Sequence, residues 1–464
     1  MDIRPIEIDR HAPVLVLKIA RYPLAHGILG VVRSLGRLGI GVHAACEDRA
    51  VPYAFSRFLT GRVSLPVCER ETQVSTLLDE LVRTAGVLGA KSVLLPTDDE
   101  SAIVVAEHGA VLREHYSIPL IDPSLPRALA SKRRLCELGR EHGIAMPATT
   151  FAKTVPEVLA IADSAHYPLV LKNSEPWIRL TAPAVGGTTI IKSRTELLTL
   201  AGKWCDDPNI VLQEYIPREC SEDWIFHAYF DGASNPLVTF TGFKQQSWPP
   251  HAGVTTAAIA RPSEVLTAVA TEFCRSIGYR GIVDMDWRFD RRDGKYKLVD
   301  FNPRIGANFR LFVTESGLDV VRSLYLDLTG QPVPTSAQAF GRRFIVENLS
   351  VVSRLFSGPV RKDSGLLAET ITEFAWFAAD DHLPFIAMAA RFCCQAVIRL
   401  WQLSVAHLGT PLRAGLGLAN PALGAIRDCT PDGPAGEFGA ADKSHQGSKS
   451  WSCGEAGEVE PPCR

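Results

Sequence analysis

The 464-residue chain contains 11 cysteines but no Cys-x-x-Cys pair and no cysteine spacing matched to histidine. An odd, scattered set of thiols excludes a disulfide framework or a zinc ribbon as the organising device, and reduced, mostly buried cysteines of a cytoplasmic protein are expected. Charge of one sign is equally absent. Lys and Arg number 49 against 51 Asp and Glu, a formal net charge of -2, and no basic run stands out, so broad nucleic-acid binding is not expected. The start, MDIRPIEIDRHAP, has no basic segment followed by an apolar one, and no cleavable leader is expected there. Long uninterrupted apolar runs are missing too. The most apolar stretch, 374–404, is broken by Asp380, Asp381, Arg391 and Arg399. It reads as an amphipathic packing helix rather than a span, with docking on a membrane surface as the alternative. Finally, the segment after the first apolar strand is ARYPLAHG rather than Gly-x-Gly-x-x-Gly, which argues against a dinucleotide fold there.

The remaining features are those of a globular chain of two or three domains, 46% hydrophobic and 22% charged. Residues 14–19 (VLVLKI) read as a buried strand, 26–38 as a helix closed by Gly39 and Gly41, and 42–46 and 92–96 as further strands. Strand–helix–strand order implies a parallel sheet with right-handed crossovers. Asp98, Asp99 and Glu100 follow the strand at 92–96, where they suit a helix N-terminus or could meet an amine. Near residue 122 the character changes. Thr154-x-x-Glu157 and Ser193-x-x-Glu196 read as capping boxes. Strands fit 169–172, 189–192, 210–215, 224–230 and 237–243, an α+β region with mostly antiparallel pairing. From about Pro411, Gly, Ala, Pro and Ser dominate, and a disordered tail is expected.

The most informative segment runs from Asp284 to Arg304, DMDWRFDRRDGKYKLVDFNPR. Two alternating runs flank Asp293-Gly294. The first puts Val283, Met285, Trp287 and Phe289 on one face and Asp284, Asp286, Arg288 and Asp290 on the other. A three-residue loop, Arg292-Asp293-Gly294, with glycine left-handed, predicts a hairpin. In that register Asp286 stands opposite Asp300, and Asp284 opposite Asn302. Opposed side chains share a face with Cβ atoms ~5 Å apart, and like charges that close call for a cation. A hard ion such as Mg²⁺ suits those oxygens. A solvated charged hairpin is the competing reading, but aspartate is a poor strand former, and several in one strand need a reason.

Other groups suit a nucleotide. Lys172 ends the strand PLVLK and Lys132 opens a helix, both positions from which a cation reaches phosphate. Residues 183–189 (PAVGGTT) form a small-residue loop. The strand VLQEYIP, 211–217, offers backbone to a base, and Glu222 or Asp223 could accept from ribose hydroxyls. In order (lysine, lysine, glycine loop, QEYIP strand, acid, acidic hairpin, Asn-Pro-Arg) these features resemble the ATP-grasp superfamily over about 125–330, specifically its carboxylate-amine ligase-like branch. The resemblance implies a pre-ATP-grasp α/β domain with a parallel sheet at 1–122, an α+β ATP-grasp domain at 123–334 and a mainly helical extension at 335–410, before the tail at 411–464. It implies ATP with two Mg²⁺ ions, or Mn²⁺, as cofactors. Lys132 and Lys172 would contact phosphates and Gly186-Gly187 would lie in the phosphate lid. Glu214, Tyr215 and Ile216 would frame adenine and Glu222 would hold ribose. Asp286, Asp300 and Asn302 would bind metal, and Arg304 would face the transferred phosphoryl. Two departures stand out: aspartate replaces the family's usual glutamate at 286 and 300, and the lid lacks its lysine, for which Lys192 could substitute. The implied activity is an ATP-dependent ligase joining a small carboxylate to an amine, with Lys244 in TGFKQQSWPPHAG near the carboxylate. The alternatives are a non-catalytic ATP-binding protein docked through 340–410, or an enzyme releasing carbamoyl or another acyl phosphate. A homodimer is compatible with either.

Overall fold

A computed structural model describes residues 8–407 apart from 90, 182, 205–206, 251–252 and 358–370. The expected tail at 411–464 lies outside the described residues.

Five strands form the first sheet: β1 (Val14–Leu17), β2 (Val42–Ala45), β3 (Gly61–Val63), β4 (Ser92–Pro96) and β5 (Tyr116–Ser117). Their order is β3-β2-β1-β4-β5, all parallel. β1 reads VLVL and every one of its residues is buried, as a strand covered on both faces requires. The chain leaves β1 toward β2 and leaves β4 toward β5, so the carboxyl ends of β1 and β4 open a crevice between them.

A second sheet is antiparallel and small: β6 (Thr149–Ala152), β7 (Leu169–Asn173), β8 (Thr189–Ile191) and β9 (Ile210–Glu214), ordered β6-β9-β7-β8. Helices Val155–Ser164 and Arg194–Ala201 cover it, and both start on the expected caps, Thr154 and Ser193 accepting from the backbone N–H of Glu157 and Glu196.

The third sheet holds the predicted hairpin. Its strands are β10 (Ser221–Phe230), β11 (Pro236–Trp248), β12 (Val254–Ala260), β13 (Gly281–Asp290), β14 (Lys295–Asn302), β15 (Arg342–Ile345) and β16 (Ile371–Phe374). They run β14-β13-β10-β11-β12-β15-β16, antiparallel except for the last pair. One face, with Val283, Met285 and Trp287, is sealed by helix Glu264–Ser276 through Leu266, Ala270 and Phe273. The other face is apolar where it meets the first domain, through Ile225, Phe240, Ala258 and Phe344, and polar at the hairpin. Helix His26–Gly36 of the first domain seats on the segment that follows Asn-Pro-Arg. A Cβ on Gly30 would lie 2.7 Å from the Phe309 ring, and one on Gly27 would lie 3.1 Å from the Ala307 backbone.

Beyond residue 334 the chain adds β15 and β16 to this sheet, so the segment contains strands as well as helices. The expected helix over 374–404 begins only at Leu383. Phe374 ends β16, Asp380 and Asp381 are spent on Arg37 and Arg33, and Pro384 sits in the first helical turn, where its fixed φ is accommodated. No described helix is long and apolar enough to cross a membrane. The seven described cysteines are all free, but only Cys68 and Cys274 are buried and Cys393 and Cys394 are exposed, fewer buried thiols than expected.

Candidate functional site

The hairpin supplies the site's acids. Asp286 pairs with Asp300 and Asp284 with Asn302, the register anticipated from the sequence, but the route to it differs. The loop has four residues, Arg291 to Gly294, because Asp290 pairs with Lys295. Gly294 takes φ of +68°, as expected. The longer loop displaces the ladder by one residue, and a bulge at Val299, between the pairs Trp287–Leu298 and Asp286–Asp300, restores it. The loop lengthens because Asp290 is fully buried beneath it, accepting from the Arg292 N–H at 3.0 Å and from Lys297 Nζ at 2.7 Å. The Arg292 guanidinium, whose Nε lies 2.9 Å and Nη2 2.6 Å from the carboxylate, holds that carboxyl far below the usual range despite burial, with Lys297 and the Arg292 N–H adding to it.

Cations from three other elements meet this face. Lys132, first residue of helix Lys132–Glu141, pairs with Asp300. Lys172 comes from β7, and its ammonium donates to the bulged Val299 carbonyl at 3.2 Å. Lys244 of β11 pairs with Asp286 at 2.6 Å. Arg304, just after β14, donates from Nε to Asp99 at 3.0 Å and from Nη2 to Asn302 Oδ1 at 2.9 Å. The structure therefore gathers Lys132, Lys172, Lys244, Asp286, Asp300, Asn302 and Arg304 about one end of one sheet.

Burial sets the electrostatics. Desolvation pushes the Lys172 ammonium down to about 8, against the attraction of Asp300. Burial would raise Asp300, but Lys132 and Lys172 hold it at about 2. Asp286 is raised by burial and by the neighbouring Asp284 and Asp300 carboxylates, against the pull of Lys244. Lys244 is raised: its burial opposes the charge, and Asp286 outweighs it. Three acids in adjacent register positions repel one another, and Lys132, Lys172 and Lys244 carry the balancing charge.

Among the described residues, no three His, Cys, Asp or Glu side chains converge as a metal cluster; Asp300 faces Lys132, Asp286 faces Lys244, and Asp284 lies between His227 and Arg304. The donor set nevertheless fits a hard divalent ion. Asp286, Asp300 and Asn302 offer carboxylate and amide oxygens from facing strands, and a cation there would offset the burial and the carboxylate repulsion that together raise Asp286.

The other anticipated residues lie around this core. Gly186 and Gly187 are exposed in the loop between helix Ile178–Thr181 and β8, with nothing within 4 Å of an added Cβ. Asn173 at the end of β7 pins the base of that loop to Val185 through both its amide atoms. Lys192 is exposed, and its N–H is used by Glu196. Glu214 ends β9 with its carboxylate on Arg292 of the hairpin turn and its N–H on the Ala148 carbonyl at 2.7 Å. Tyr215 is half-buried, and Ile216 is buried with its carbonyl 3.4 Å from Arg288 Nη1. Glu222 is held by Arg291 at 2.6 Å and by the Trp224 indole at 3.2 Å.

Three residues of the site were not anticipated. His227 of β10 stands opposite Asp284, fully buried, with Nε2 2.7 Å from Oδ1. Gly306 packs against both, and a Cβ there would lie 2.6 Å from Asp284 Cγ and 2.6 Å from His227 Cε1. Phe312 covers His227 at 5.0 Å between ring centroids. The acids at 98–100 form the helix N-terminus anticipated above, Asp98 as the cap accepting from the Ser101 N–H at 3.0 Å and Asp99 and Glu100 in the first turn, and Asp99 also pairs with Arg304. Only pairing across β10 and β13 reveals His227, and no local spacing signals it.

The architecture is the ATP-grasp fold. The biotin carboxylase domain of Hydrogenobacter thermophilus 2-oxoglutarate carboxylase, solved with MgADP and bicarbonate, superposes with a TM-score of 0.52 at 19% identity, covering 70% of this chain and 71% of that one. An L-amino acid ligase from Bacillus licheniformis gives 0.51 at 18% identity, covering 69% and 75%. N5-carboxyaminoimidazole synthetase from Staphylococcus aureus, complexed with ADP, gives 0.52 at 13%, covering 73% and 83%. In sequence, a D-aspartate ligase from Enterococcus faecium (strain Aus0004) is 23% identical over 350 residues, 72% of this chain and 80% of that one. No family model matches the chain.

Proposed function

We propose that this chain is an ATP-dependent ligase that activates a small carboxylate as an acyl phosphate and couples it to an amine. The observation that carries the reading is the pair of opposed positions Asp286–Asp300 and Asp284–Asn302, ringed by Lys132, Lys172, Lys244 and Arg304. Buried acids and cations in near balance suit a group that arrives with its own charge: a triphosphate and its metal.

In this reading Asp286, Asp300 and Asn302 would hold Mg²⁺, which would supply positive charge to the phosphate oxygens. ATP displaces the lysines from the acids, and Lys132 and Lys172 turn to phosphate. Gly186-Gly187 closes over it, Glu214, Tyr215 and Ile216 frame the base, and Glu222 leaves Arg291 for ribose. A carboxylate oxygen attacks the γ-phosphorus, the bond to the bridging oxygen breaks, and ADP departs. The amine nitrogen then attacks the acyl carbon, phosphate leaves with the electron pair, and the nitrogen loses its proton. Arg304 and Lys172 stabilise charge on the moving phosphoryl, and positioning does the rest. Likeness to a D-aspartate ligase favours an amino acid as one substrate.

An ADP-release screen over amino acids and small acids, D-aspartate first, tests the proposal. ADP formation that needs both a carboxylate and an amine supports it. Acyl phosphate trapped by hydroxylamine, with full turnover in the absence of any amine, would instead assign the chain to acyl-phosphate release.

A further inference from the structure

Arg304 is held from two domains. On one side is the hairpin: Asn302 Oδ1 accepts from Nη2 at 2.9 Å, Asp284 Oδ2 lies 3.5 Å from Nη1, and the Ile305 carbonyl accepts from Nη1 at 2.9 Å. On the other side Asp99, the first residue of helix Asp99–Glu107 in the first domain, accepts from Nε at 3.0 Å. A planar guanidinium gripped at Nε, Nη1 and Nη2 cannot rotate about its own axis. The acids are themselves fixed. Asp98 caps the helix and takes the N–H groups of Ile19 and Ala20 at 2.9 and 2.6 Å, which locks the turn that presents Asp99. Asp284 is backed by buried His227 and leaves no room for a side chain at Gly306.

We infer that Asp99 and Asp284 are positioning residues that fix the guanidinium of Arg304 where it meets the transferred phosphoryl, so that the first domain takes part in phosphoryl transfer without touching the nucleotide. This rests on the ligase reading above. A purely structural interdomain ion pair would make the same contacts but would affect folding and nucleotide affinity rather than the planar, transferring phosphoryl.

Trapping of Mg·ADP with aluminium fluoride, a planar phosphoryl mimic, separates the two without requiring the carboxylate. Asp99→Asn is expected to weaken trapping at least tenfold, with Mg·ADP affinity within twofold of wild type and the melting midpoint unchanged. Arg304→Lys weakens trapping as well, and Asp99→Asn adds nothing to it, because the acid acts through the arginine. Asp284→Asn, which reaches the guanidinium from the other side, is expected to weaken trapping as well and to add nothing to Arg304→Lys. Wild-type trapping in Asp99→Asn, full additivity with Arg304→Lys, or an equal loss of Mg·ADP affinity would overturn the assignment. Failure of wild type to bind Mg·ADP at all is a separate result, one that removes the ligase reading and this assignment together.

Discussion

Lys172 is the residue whose behaviour follows most directly from its surroundings. Its ammonium is buried and its pKa falls from 10.5 to about 8. A lowered folded-state value means the unfolded chain keeps the proton longer as pH rises, so between about pH 8 and 10.5 the metal- and nucleotide-free protein gains stability from this residue. Below that window the buried charge costs up to about 3 kcal/mol. Lys172→Met is therefore expected to be the more stable protein at pH 7 in denaturant unfolding, with a lead that shrinks by pH 10, while losing ATP binding. A lead that is constant with pH would show that the ammonium is not desolvated. For Asp300→Ala the expectation is an intact fold, by circular dichroism and melting, with ATP-dependent phosphate release abolished; normal turnover would refute the role given to that acid.

At the scale of elements, the hairpin shows how far the sequence could be read. Alternation of Asp284, Asp286, Arg288 and Asp290 against Val283, Met285 and Trp287 is a local signal, and it placed the acids on one face. The bulge at Val299 is not local. It exists because buried Asp290 lengthens the loop and because Lys172, from another sheet, takes the bulged carbonyl. Loop and bulge offset each other, so the expected pairing of Asp286 with Asp300 holds although the expected three-residue loop does not. Strands β12, β15 and β16 lacked a readable period of their own. His227 and Gly306 gain meaning only when the folded chain places them beside Asp284. The segment after Asn-Pro-Arg is the corresponding weak point. Gly306→Ala must push Asp284 or His227 aside and is expected to cost about 1–3 kcal/mol in denaturant unfolding. Unchanged stability would mean that the segment gives way freely.

Across the described residues, the segment around Asp381 ties back to helix His26–Gly36. Arg33 of helix His26–Gly36 is fully buried and pairs with Asp381 at 2.9 Å, donating also to the Trp376 and Asp381 carbonyls at 2.7 and 2.6 Å. Asp381 in turn accepts from Ser56 and from the Arg57 N–H. The later segment is thus part of the scaffold that holds the first domain on the third sheet, and with it Asp99 near Arg304. Asp381→Ala strands a buried guanidinium, and a loss of about 3–5 kcal/mol is expected in equilibrium unfolding. A loss below 1 kcal/mol would mark the strap as dispensable. The central claim is that acids paired across β13 and β14 hold the metal of a bound nucleotide. Titration calorimetry of ATP into the purified chain tests it most directly, with and without Mg²⁺, in wild type and in Asp300→Ala. One ATP bound per chain, dependent on Mg²⁺ and lost in the variant, is the predicted result. Equal binding without the metal, or unaltered binding in Asp300→Ala, would contradict it.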